Sequence, residues 1–104
     1  MKYALQADLS FNTVLKRDAV YTKIETFLSG KPVWGHTSLT KVPDSSISIE
    51  VRFEQRPDLD NIFDLVKTEL NKLTGVTATF SKHACSHDEG NQPCKVEEIA
   101  TIVR

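Results

Sequence analysis

"SISIEVRFEQRPDLDNIFDLVKTELNKLTG", residues 46–75, changes its period about a third of the way along. In its first third Ile47, Ile49, Val51 and Phe53 alternate with Ser48, Glu50, Arg52 and Glu54. A period of two predicts a strand with one buried face. From Arg56 the apolar residues respace to Leu59, Ile62, Phe63, Val66, Leu70 and Leu73, one stripe along a helix. Pro57 suits the first helical turn, Asp58 and Asp60 complement the dipole there, and Gly75 ends the helix. A strand leading into a helix that must cover it predicts a layered α+β domain.

The flanking segments extend this pattern. Tyr3, Leu5, Ala7, Leu9 and Phe11 alternate with polar residues and predict a first strand. Val20, Ile24, Phe27 and Leu28 then recur at helical spacing, with Asn12 or Thr13 as the N-cap and Gly30 as the C-terminal stop. "VWGHTSLTK", residues 33–41, reads as a weaker strand, joined to the strand at 46–54 by a turn at Pro43-Asp44. "VTATFSKHACS" and "CKVEEIATIVR" read as two last strands around a loop. The expected order is β-α-β-β-α-β with an added C-terminal strand, a single domain over residues 1–104. That is the ferredoxin-like arrangement, two helices on one face of an antiparallel sheet. This fold hosts enzymes, binders and oligomeric regulators alike, so function must be sought in the residues.

Composition narrows the classes. With 13 basic and 14 acidic side chains the net charge is -1, and no run of Lys or Arg stands out. Neither nucleic acid nor an anionic membrane surface is an expected partner. The N-terminal "MKYALQADLSF" alternates rather than forming an apolar leader, and no apolar run approaches membrane-spanning length. A cytoplasmic location with reduced cysteines is the expectation. The glycines at 30, 35, 75 and 90 form no phosphate-binding cluster.

One segment looks chemical. "TFSKHACSHDEGNQPC", residues 79–94, holds both cysteines and two of the three histidines. If Phe80 pairs with Ile99, then Val76 meets Val103, Lys82 meets Glu97 and Cys85 faces Cys94. His83 and His87 flank Cys85 on the non-core face of that strand. The plain reading is a pair of neighbouring thiols at a hairpin neck. A Cys85–Cys94 disulfide, a zinc-type site using Cys85, Cys94, His87 and His83, and a redox pair are the alternatives. Zinc is the one cofactor these residues admit, although the spacing lacks the usual C-x2-C knuckle.

The face of the sheet away from the helices offers Asp8, Glu50 and Arg52, with Trp34 and His36 from the weaker strand. A base beside carboxylates could support acid–base chemistry there, but alternating polar residues are the ordinary solvated face of an antiparallel sheet. No catalytic residue is assigned. The leading expectation is a non-catalytic binding or assembly module, a homo-oligomer or a partner of another protein, motivated by Trp34 and Val42 on an otherwise polar face. The competing readings are zinc binding by the last hairpin and a small enzyme centred on His36.

Overall fold

A computed structural model describes residues 3–30, 38–42, 45–84 and 95–104, with the backbone alone for 38–42. In chain order the elements are β1 (Tyr3–Phe11), α1 (Val14–Ser29), β2 (Ser38–Val42), β3 (Ser46–Phe53), α2 (Arg56–Asn71), β4 (Val76–Ala84) and β5 (Lys95–Val103). The strands form one sheet in the order β2-β3-β1-β4-β5. Every neighbouring pair is antiparallel.

The alternating residues do what their period requires. Leu5, Leu9, Ile47, Val51, Phe53, Val76 and Phe80 are buried in one cluster with Val20, Ile24 and Leu28 of α1 and Leu59, Ile62, Phe63, Val66 and Leu70 of α2. Both helices therefore cover the same sheet face. Burial of this apolar surface is the main force holding the layers together, at about 25 cal/mol per Å² removed from water. Phe63 and Phe80 meet at its centre with ring centroids 5.0 Å apart and planes tilted by 55°. Among the described residues no polar or charged side chain is buried.

Both ends of α1 and the start of α2 follow the expected chemistry, but α2 stops at Asn71 with Lys72 as its C-cap, short of the Gly75 expected to end it. Thr13 caps α1, its hydroxyl accepting from the Lys16 backbone N–H at 3.2 Å. α1 closes at Gly30, whose N–H donates to the Leu28 carbonyl. Pro57 lies in the first turn of α2. Beyond that helix Gly75 takes a φ of +71°, a conformation that L side chains avoid. Its carbonyl accepts from Asn12 N–H at 2.9 Å, and its own N–H donates to Arg104 at 2.6 Å. This one glycine thus ties the end of β1 to the end of β5.

The last hairpin departs from the expected register. Phe80 stands opposite Ala100 rather than Ile99, Thr77 rather than Val76 stands opposite Val103, and Lys82 opposite Glu98 rather than Glu97. A slip of one residue exchanges the two faces of a strand. Ala100 and Ile102 pack on the core, while Ile99 and Val103 turn to the open face. Between Lys82 and His83 the register then shifts by one, so that His83 meets Val96 and Ala84 meets Lys95. Glu97 is the extra residue of this β-bulge.

α2 carries the physical reason. Its side toward β5 presents Arg56 and Lys67, next to Lys82 of β4. Glu97 bonds Arg56 at 2.6 and 2.9 Å, and Glu98 meets Lys67 at 3.2 Å and Lys82 at 3.6 Å. In strict alternation only one of two consecutive glutamates could face the helices. The bulge lets both do so.

Candidate interaction surface

The open face is built in rows by the register. One row holds Arg52, Ala4, His83 and Val96, the next Glu50, Gln6, Ser81 and Ile99, and a third Ser48, Asp8, Thr79 and Thr101. Ser46, Ser10, Thr77 and Val103 complete it. Many of its polar groups engage neighbours. Glu50 and Arg52 approach to 3.7 Å, Ser81 Oγ and His83 Nε2 lie 2.8 Å apart, and Ser10 and Ser46 share a hydroxyl contact of 3.2 Å. Ala4, in the row between Arg52 and His83, is buried.

The sequence-expected residues divide into two groups. Asp8, Glu50, Arg52 and His83 all stand on this face, with Asp8 one row away from Glu50. Trp34, His36, Cys85, His87 and Cys94 lie outside the described residues. The expected facing of Cys85 with Cys94 therefore falls there too. Among the described residues no group of three or more His, Cys, Asp or Glu side chains is arranged to hold a metal.

The outer strand was expected, but its exposed apolar stripe was not. Val96, Ile99 and Val103 are 46%, 64% and 74% exposed and share the open face. Scattered exposed apolar residues need no explanation, but three along one edge strand form a stripe. The signal was present in "KVEEIATIV", residues 95–103, which carries apolar residues on both of its alternating sets. Assigning Ile99 and Val103 to the core hid it.

The opposite side of β5 is fixed by charge. The Arg56 hydrogen bond holds the Glu97 carboxyl below its ordinary range, against the smaller opposing effect of burial. For Lys82, burial would lower the ammonium pKa, yet its hydrogen bond to Asp60 at 3.0 Å and the charges of Asp60 and Glu98 raise it above the usual value. The Lys82 ammonium also lies 4.9 Å from the centre of the Phe63 ring. Between the helices, away from the open face, Thr22, Lys23, Thr26, Phe27, Leu65 and Glu69 line a shallow groove of about 390 Å³. Lys23 and Glu69 close across it at 3.2 Å.

No protein-family model matches the chain, and no curated protein or solved structure matches it significantly. Among the described residues no helix is long and apolar enough to cross a membrane. The fold and the surface define a small α+β domain with a polar open face and an apolar outer strand.

Proposed function

We propose that this domain is a non-catalytic binding or assembly module on a ferredoxin-like sandwich, with β5 as the added strand. The strand order β2-β3-β1-β4, with helices following β1 and β3, supports that fold reading. The observation that carries the functional reading is the stripe of Val96, Ile99 and Val103 on the outermost strand. Water-exposed branched side chains in a row gain free energy when a partner covers them. The partner is protein rather than nucleic acid, because the described open face offers Asp8, Glu50 and hydroxyl groups and no Phe, Tyr or Trp for bases to stack on. Sedimentation velocity over a hundredfold range of concentration tests the reading, together with capture by candidate partner proteins. A particle that stays monomeric, with Ile99→Ser and Trp34→Ala altering no interaction, would sink it.

A second reading concerns the last hairpin. Ala84 stands opposite Lys95, the register that places Cys85 opposite Cys94 if it continues by one residue. We propose that these two thiols form a reversible pair or, with His83 or His87, take a zinc ion. Intact mass with and without reductant separates the first case, and zinc titration of the reduced protein the second. Two freely alkylated thiols that bind no zinc would remove both.

A further inference from the structure

The outer edge of β5 is where the sheet stops. Arg104 and Val76 exchange both backbone hydrogen bonds, at 2.9 and 3.0 Å. In an antiparallel ladder bonded and non-bonded pairs alternate. The backbone groups of Glu98, Ala100 and Ile102 therefore turn inward to β4 with those of Arg104, and those of Ile99, Thr101 and Val103 turn outward. Among the described residues no strand meets that outer row. The usual protections of an edge are missing between Glu98 and Arg104, for residues 99–103 include no proline and no charged side chain. The bulge lies at the other end of the strand, so this stretch stays regular.

Resting on the assembly reading, we infer that the occupant of this edge is β5 of a second copy, antiparallel and centred on Thr101. The segment Glu98-Ile99-Ala100-Thr101-Ile102-Val103-Arg104 is complementary to its own reverse. Turned about Thr101, it sets Glu98 against the second copy's Arg104, Ile99 against Val103, Ala100 against Ile102, and Thr101 against Thr101. These are an opposite-charge pair, two apolar pairs and a hydroxyl pair, each favourable across neighbouring strands. Paired residues share a face, so a two-fold axis perpendicular to the sheet makes both open faces continuous. The outward backbone groups of Ile99, Thr101 and Val103 then meet their counterparts in about six new hydrogen bonds. Centring on Ala100 instead would set Ile102 against Glu98 and Val103 against Glu97, each an apolar residue facing a charge. The contact is isologous, so it closes as a dimer rather than growing into a filament.

Amide hydrogen exchange followed by NMR at low and high protein concentration tests this on the whole chain. The expected result is a concentration-dependent dimer in which the Ile99, Thr101 and Val103 amides slow by about tenfold or more. The Ala100 and Ile102 amides, already bonded to β4, change little. Thr101→Lys puts two like charges on the axis and should abolish both the dimer and the added protection, whereas Thr101→Ser keeps them. Thr101 is exposed, so circular dichroism of the lysine variant should match that of the parent. A dimer whose three outward amides still exchange freely overturns the edge pairing while leaving the assembly reading standing. A strict monomer at millimolar concentration overturns self-pairing, and a heterologous protein partner is then all that remains of the assembly reading.

Discussion

Arg56, the first residue of α2, grips Glu97, the extra residue of the β5 bulge, through both terminal guanidinium nitrogens at 2.9 and 2.6 Å. A cation in the first turn of a helix opposes the helix dipole. Glu97, with Asp60 at 3.7 Å, offsets that cost, and the Arg56 guanidinium also lies 5.8 Å from the centre of the Tyr3 ring. The pair fastens an irregular stretch of edge strand to the helix layer. Glu97→Ala should therefore speed amide exchange severalfold at Lys95 and Glu98, whose backbone groups turn inward to Ala84 and Lys82, leaving α2 little changed. Equal protection in parent and variant would show that the bulge holds without the ion pair.

Acid should loosen the molecule at both ends of α2. Glu97 and Glu69 are both held below the ordinary carboxyl value of 4.5. For Glu97 the Arg56 hydrogen bond is the main cause. For Glu69 burial pushes upward, and the hydrogen bonds and charges of Lys23 and Lys72 together outweigh it. A depressed folded-state pKa adds stability that is complete above the unfolded value and is lost as pH falls through the folded one. Thermal midpoints should be flat above about pH 5 and decline below about pH 4.5 as these carboxylates protonate. Glu97→Gln should make that decline shallower; a parent curve flat down to about pH 3 would count against both pairs.

Lys82 joins packing to charge. Its side chain is 15% exposed, bonds Asp60 at 3.0 Å and covers the Phe63 ring. Lys82→Ala removes the stem, the ring contact and the ion pair, and should cost about 1–2 kcal/mol in urea unfolding. Lys82→Met keeps the stem and should lose less. If the two variants were equally destabilised, the stem would be contributing nothing.

Gly75→Ala should destabilise by about 1–2 kcal/mol, since an L residue pays that much in the left-handed region. An added Cβ would also collide with the Asn12 side chain. Asn12→Ala relieves the collision but not the backbone strain, so the double variant should recover only part of the loss. Full recovery would assign the whole effect to crowding.

β1, β3 and α2 were legible because their two faces differ so sharply. Ile47, Ile49, Val51 and Phe53 face the core and Ser48, Glu50 and Arg52 face away, so one register alone buries the apolar set. The stripe on α2 likewise allows one orientation, and Thr13 and Gly30 mark local ends of α1 that need no distant partner. β5 lacks such a difference. Val96, Ala100 and Ile102 compete with Ile99, Thr101 and Val103, and either set could have faced the core. The choice fell to residues distant in sequence: Arg56, Lys67 and Lys82 draw two consecutive glutamates to the helix side, and a bulge supplies the extra residue this requires. Hydrophobic period is a property of the segment alone, and it fixed the layers and most of the core. Charge pairing between elements appears only once those elements are packed, and it decided which apolar residues of the last strand face outward.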